Sequence, residues 1–310
     1  MKKFGSIFAG QGSQALGMGK DFYENSALAK EMFEQASDAI KVDMKSILFD
    51  DADKLGQSQF TQPAILLVSS IANRLFSTES SYSPEFALGH SLGEFSALTS
   101  VGALSLEDAI KTVHNRGRWM QEACEGKEAS MMVVLGLDDA KAEAVVQVAQ
   151  DDKKLVWAAN YNCDGQLVLA GKKSDLEPIA PLLKEAGAKR AMLLNMSVAS
   201  HCPMLESAMA PLKDILSETL SENFTTKIIS NVNALGYSTK EEALNLLPEQ
   251  LIKPVLYKQS VLANESAVET FIEFGHGAVL KGINKKITKV PTLNISDMNS
   301  LEVVLKEMGA

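Results

Sequence analysis

The sequence is poor in cysteine, in aromatic residues and in positive charge, and it contains no long apolar run. Its three cysteines, Cys124, Cys163 and Cys202, are odd in number and widely scattered. That pattern speaks against a disulfide framework and offers no zinc-ligand spacing. No apolar stretch approaches the roughly 18 residues of a membrane span. The opening residues MKKFGSIFAGQGS carry neither a long apolar core nor a cleavage pattern, so no secretory leader is expected. Lys and Arg number 30 against 39 Asp and Glu, a net charge of −9, which argues against nonspecific nucleic-acid binding. Fixed-period repeats, low-complexity tracts and Gly/Ser- or Pro-rich linkers are also missing. What remains is an expected cytoplasmic globular protein of 310 residues, 46% hydrophobic, with core enough for one large domain or two modest ones.

The order of elements indicates two units. A first strand is expected at Phe4–Ala9, followed by a Gly-rich turn, Gly10–Gly19, and helix from about 22 to 48. A second helix is read at Pro63–Leu75, with the proline in its first turn, where the missing N–H costs little. Phe86-Ala87-Leu88 reads as a short strand, Glu94–Ser100 as helix and Leu106–Gln121 as another helix. Residues Met131–Met196 then read strand, helix, strand, strand, helix, strand: Met131–Leu137, Asp138–Gln150, Leu155–Ala159, Gln166–Ala170, Asp175–Ala186 and Arg190–Met196. This βαββαβ order is the ferredoxin-like signature. Beyond it come a helix from Pro203, strands at Lys227–Val232 and Phe271–Phe274, and a helix at Val279–Lys286. The alternating flanks read as a parallel α/β sheet. The expected domains are therefore 1–127 with 197–310, and an inserted 128–196.

Leu88-Gly89-His90-Ser91-Leu92-Gly93 matches G-x-S-x-G where a strand meets a helix. Two glycines flanking Ser91 permit the tight turn that exposes its Oγ. The helix that follows aims free N–H groups at the same spot. The plain alternative is a Gly-rich turn holding an incidental serine. A serine nucleophile needs a base, and four histidines are available: His90, His114, His201 and His276. His90 adjoins the serine and reads as a structural neighbour, and His114 falls on the polar side of its helix. His201 and His276 both follow expected strands, and spacing leaves them tied.

Gly10-Gln11-Gly12-Ser13-Gln14-Ala15 satisfies the loose dinucleotide fingerprint, but residues 22–40 read as helix and supply no second strand to end in an acidic residue. The alternative is that Gln11 and its neighbours offer N–H groups to an oxyanion. In the helix Leu106–Gln121, the residues Leu106, Ala109, Ile110, Val113, Gly117 and Met120 form one apolar stripe. Arg116 sits about 80° from its centre, bordering the core. It suits a bidentate carboxylate clamp or, equally, a structural ion pair.

Taken together these stretches resemble the malonyl-CoA:acyl-carrier-protein transacylase family along nearly the whole chain. The resemblance rests on Gly10-Gln11-Gly12-Ser13-Gln14, Thr61-Gln62-Pro63-Ala64, Gly89-His90-Ser91-Leu92-Gly93-Glu94, Arg116-Gly117 and Ser200-His201. Asn160-Tyr161-Asn162, Gly165-Gln166, Gln250 and Pro254-Val255 match as well. It implies a hydrolase-like α/β domain with a ferredoxin-like insertion, and a Ser91 nucleophile with His201 as its base. The histidine would be oriented by the backbone carbonyl of Gln250. The N–H groups of Gln11 and Leu92 would form the oxyanion hole, and Arg116 would bind the substrate carboxylate. Gln62, His90, Asn160 and Asn162 would line the pocket. Malonyl-CoA and acyl carrier protein would be the partners of a monomer, with no metal or other cofactor.

Three positions depart from that pattern. Ala9 and His276 stand where proline is common, and His276 would add a titratable group near the site. Val198-Ala199-Ser200-His201 resembles in its last letters a methylmalonyl-selecting signature, although stand-alone malonyl enzymes also carry Ser there, and malonyl remains the expected extender. A serine hydrolase using Ser91 and His201, and a noncatalytic binding module, are the competing classes. For an acidic carrier, Lys189 with Arg190, or Lys281, Lys285 and Lys286, are candidate docking residues.

Overall fold

The computed structural model describes residues 2–194, 196 and 198–309. Among these residues, ten strands form two sheets. Five come from the central part of the chain or its start: β1 (Phe4–Phe8), β2 (Phe86–Gly89), β3 (Ala129–Leu135), β4 (Val156–Cys163) and β5 (Gln166–Lys172). The others are β6 (Arg190–Leu193), β7 (Asn223–Ile229), β8 (Gly236–Thr239), β9 (Thr270–Phe274) and β10 (Thr292–Ile295). The larger sheet runs β10-β9-β1-β2-β7-β8 and is parallel except for the edge strand β8. Every residue of β1, β2 and β9 is buried. Strands covered on both faces read as continuous apolar runs, which is why Phe86-Ala87-Leu88 is visible in the sequence. Phe8 stacks on Phe274 at 5.6 Å, tying β1 to β9.

The order reverses at β1, which lies between β2 on one side and β9 on the other. In open α/β sheets a crevice forms at the carboxyl ends of strands where the order reverses. Gln11 follows β1 and Ser91 follows β2, so that crevice receives both.

β2 and β7 are neighbours in the sheet, yet the whole smaller sheet lies between them in the chain. Its order is β4-β5-β3-β6, all antiparallel, the ferredoxin-like arrangement. Alternation along β3 gives the sheet two different faces. Met132 and Val134 pack with Leu167, Leu169, Val146 and Leu183 into a small core of its own. Ala129 and Met131, with Val168 and Ala170 of β5, join the core of the larger unit. One face thus closes on its own helices, and the other roofs the crevice.

Local chemistry corrects several boundaries. The helix expected from 22 to 48 is three: Lys20–Asn25, Ala27–Ile40 and Met44–Phe49. Ser26 and Asp43 cap the second and third through side-chain bonds to Ala29 N and Ser46 N, and Lys41 ends the second with φ 54°. The helix expected at Pro63 begins five residues earlier, as Ser58–Glu79, so Pro63 lies inside it. The missing proline N–H frees the carbonyl of Gln59, and His114 Nδ1 takes that carbonyl at 2.8 Å. This gives His114 a structural partner away from the serine. The strand expected at Leu155–Ala159 is β4, which extends to Cys163 and carries Asn160 and Asn162. Of the strand expected at Arg190–Met196, β6 ends at Leu193, and Asn195 lies outside the described residues, as does Ser197 at the expected domain boundary.

Glycine is required at two points of the elbow. A Cβ on Gly89 would fall 1.8 Å from the carbonyl carbon of Gly93, and one on Gly93 would fall 2.0 Å from Phe8 O. Both clashes are with backbone, which cannot step aside as a side chain can. Gly89→Ala should therefore cost about 3 kcal/mol of stability, read as a lower urea midpoint. A midpoint equal to that of the wild type would show that the elbow is not tight.

Candidate active site

Ser91 sits at φ 53°, a strained conformation for a non-glycine residue that follows β2 and precedes the helix Gly93–Ser100. The strain is held in place by Asn231, which follows β7. Its Oδ1 accepts from Ser91 N–H at 2.7 Å, and its Nδ2 donates to Gly89 O at 2.6 Å. The elbow is thus clamped across the neighbouring strand.

His201 Nε2 lies 2.8 Å from Ser91 Oγ, and His201 Nδ1 lies 2.7 Å from the backbone carbonyl of Gln250. A carbonyl only accepts, so the Nδ1 proton is fixed and Nε2 presents its lone pair to the serine hydroxyl. His201 is buried and its pKa is pushed down to about 3, by loss of hydration first and by the Arg116 charge second. It is neutral at physiological pH. The tie with His276 is broken by position. His276 lies beyond β9 and is absent from the cavity wall, so the expectation of an extra titratable group at the site is corrected.

The cavity at this point holds about 700 Å³. Gln11, Ser91, Leu92, Arg116 and His201 form its floor, and Met131, Asn160, Asn162 and Val168 come from the small sheet. Among the described residues, the backbone N–H groups of Gln11 and Leu92 donate to no protein group. Both flank the serine from the ends of adjacent strands, as an oxyanion site requires. His90 lies on the same wall, with Nε2 2.8 Å from Asn162 Oδ1, which ties the elbow to the roof. Asn160 is buried there, and its Oδ1 has no partner among the described residues.

Arg116 is 1% exposed. Its NH1 donates to Gln62 Oε1 at 2.9 Å and its NH2 to Gln250 Oε1 at 3.0 Å, while NH2 also stands 3.4 Å from Ser91 Oγ. Its Nε is unpartnered, and among the described residues it pairs with no carboxylate. A structural ion pair is therefore not what holds it. Two neutral amides aim the guanidinium at the serine and leave its charge uncompensated at contact range. Burial lowers its pKa to about 10, with Glu94 opposing the shift, so it stays charged at neutral pH. Gln62, expected on the pocket wall, instead lies behind Arg116 and orients it. Sequence reasoning missed Asn231, although a polar residue at the carboxyl end of a parallel strand is a recognisable signal.

The arrangement sets a serine hydroxyl against a neutral imidazole beside free backbone N–H groups, chemistry suited to taking up an acyl group and passing it on. It defines an acyl-transferring enzyme of the serine type, built on an α/β sheet with a ferredoxin-like insertion. The chain belongs to the acyl transferase domain family, whose signature it matches over residues 6–306. It is similar to the malonyl CoA-acyl carrier protein transacylase of Bacillus subtilis (strain 168), with 38% identity across 99% of this chain and 98% of the relative. The crystal structure of malonyl-CoA:acyl carrier protein transacylase from Helicobacter pylori superposes with TM-score 0.96 at 47% identity, covering 100% of this chain and 99% of that one. A malonyl-transacylase in complex with a type II PKS acyl-carrier protein gives TM-score 0.94 at 33% identity, over 98% and 99% of the two chains.

Proposed function

We propose that this enzyme moves the malonyl group of malonyl-CoA to the phosphopantetheine thiol of acyl carrier protein, supplying fatty acid synthesis. The relatives act on these two substrates by name, and one observation within the site carries the reading: a buried guanidinium, 3.4 Å from Ser91 Oγ, with no carboxylate partner among the described residues. A malonyl thioester brings the missing carboxylate to that charge. A general hydrolase gains nothing from a buried cation beside its nucleophile.

The chemistry follows in two half-reactions. His201 Nε2 takes the Ser91 proton as Oγ attacks the thioester carbonyl. The oxyanion is held by the N–H groups of Gln11 and Leu92. The C–S bond breaks, and the departing CoA sulfur recovers the proton from His201. The carrier thiol then gives its proton to His201, attacks the malonyl-Ser91 ester, and Ser91 Oγ leaves with that proton. Protons and electrons balance at each step with no metal or redox cofactor. Residues 1–127 with 197–310 form the catalytic unit in this reading, and 128–196 the roof. The three buried free cysteines agree with a reducing cytoplasm. Lys189 and Arg190, exposed at β6, and Lys285 and Lys286, exposed after β9, are the docking positions for an acidic carrier.

Comparing malonyl-CoA with acetyl-CoA on Arg116→Ala tests the substrate. An unpaired carboxylate should cost on the order of 2 to 4 kcal/mol, about 30- to 1000-fold in acylation by malonyl-CoA. Acetyl-CoA never uses the clamp, so its rate should fall little or rise. Equal losses on the two thioesters would sink the reading.

A further inference from the structure

Among the described residues no acid touches the site's histidine, but one lies a single residue away. Glu94, in the first turn of the helix Gly93–Ser100, is 1% exposed and touches no wall of the cavity. Its Oε2 accepts from Gln250 Nε2–H at 2.7 Å and from Asn231 N–H at 3.1 Å, and its Oε1 accepts from Tyr237 O–H at 2.9 Å. Gln250 is thereby a junction. Its backbone oxygen receives His201 Nδ1–H, its Oε1 receives Arg116, and its Nε2 serves both Glu94 and Ser91 O. Asn231, the clamp of the elbow, ends on the same carboxylate.

We propose that Glu94 is a positioning residue for the transfer reaction: through Gln250 and Asn231 its carboxylate fixes His201, Arg116 and Ser91, and its negative charge favours the imidazolium that forms on His201. The proposal rests on the roles given above to Ser91 and His201. A carboxylate in a dry interior acts over several ångströms, since little water screens it. The opposite charges of Arg116 and a protonating His201 are what it has to balance. Burying it is costly, and burial raises its pKa to about 7 despite the bonds from Gln250, Asn231 and Tyr237 and the nearby Arg116 charge.

The other groups facing this cluster do not change charge near pH 7. Arg116 stays protonated, His201 and His90 stay neutral with lowered pKa values, and burial holds Tyr237 well above the usual tyrosine range. Glu94 is thus the group that titrates there.

Glu94→Gln is the test, because its shape and bonds can be kept. The amide oxygen can accept from Gln250 and Asn231, and the amide nitrogen can donate to Tyr237 Oη. The rate of malonyl-Ser91 formation is measured at saturating malonyl-CoA from pH 6 to 8.5. The deficit of Glu94→Gln should grow from small at pH 6 to about tenfold at pH 8.5, as wild-type Glu94 ionises. Tyr237→Phe removes a donor to the carboxylate, so its inflection should move to higher pH than in the wild type. The thermal midpoint of Glu94→Gln at pH 8 should be no lower than that of the wild type. The sign follows from linkage: the folded state holds this proton more tightly than the unfolded chain, so stability is lost as pH rises towards 7, and glutamine escapes that loss. A deficit independent of pH, or an inflection unmoved by Tyr237→Phe, overturns the proposal. Loss of label in Ser91→Ala checks the underlying mechanism separately.

Discussion

Alanine at position 91 should leave a folded protein that takes up no covalent malonyl group on brief exposure to malonyl-CoA. The hydroxyl carries little of the structure. Its contacts are His201 Nε2 at 2.8 Å and Arg116 NH2 at 3.4 Å, and neither buries apolar surface. The backbone strain at φ 53° is borne equally by alanine, because Asn231 holds the N–H of residue 91 and not its side chain. Fold and cavity should therefore persist while the bond-forming atom is gone. Transfer to acyl carrier protein should fall by at least about 10⁴-fold, since the histidine and the oxyanion donors then have no covalent intermediate to serve. Intact-protein mass spectrometry reads the outcome directly. A malonyl adduct on the variant would mean that another residue is the nucleophile.

The reason Ser91 was visible in the sequence is that its chemistry and its backbone are written in adjacent residues. Gly89 and Gly93 are forced because a Cβ at either would fall 1.8 or 2.0 Å from backbone atoms, and β2 is short and wholly apolar. The ferredoxin-like order was visible for a similar reason, because βαββαβ is a local pattern. Arg116 was half visible. Helical geometry put it at the border of the core, but its partners, Gln62 and Gln250, are 54 and 134 residues away in the chain. Periodicity therefore left a clamp and an ion pair tied. His201 and His276 were tied as well, because both follow strands, and only the tertiary fold, which brings His201 Nε2 within 2.8 Å of Ser91 Oγ, separates them. The end of the chain was least legible. β8 and β10 span four residues each, too few to show a period, while the 11-residue helices Lys240–Gln250 and Met298–Met308 escape the sequence reading even though Thr239 with Glu242 spells a capping box before the first of them. Glu94 ends the Gly89–Glu94 motif, yet nothing local distinguishes a buried glutamate at a helix start from a solvated one.

His201→Ala should slow acylation of Ser91 by roughly 10² to 10⁴, the usual size of general acid–base assistance. His276→Ala should change the rate by much less, since His276 does not reach the cavity wall. Single-turnover formation of malonyl-Ser91 separates the two variants, and a reversal of their effects would discard the choice of His201. The pH dependence carries a finer expectation. Burial and the Arg116 charge push His201 down to about 3, which keeps it free to accept a proton at pH 7 but makes it a weak base. A bound malonyl carboxylate neutralises Arg116 and removes the second of these causes. The proton affinity of His201 should then rise towards its ordinary value, and with it the acid limb of the pH–rate profile. Acetyl-CoA brings no carboxylate, so its acid limb should lie at lower pH than that of malonyl-CoA. In Arg116→Ala the acid limb for acetyl-CoA should move to higher pH than in the wild type, because the cation that lowers His201 is gone. If that limb does not move, Arg116 does not set the basicity of His201, and selection of malonyl rests on binding alone.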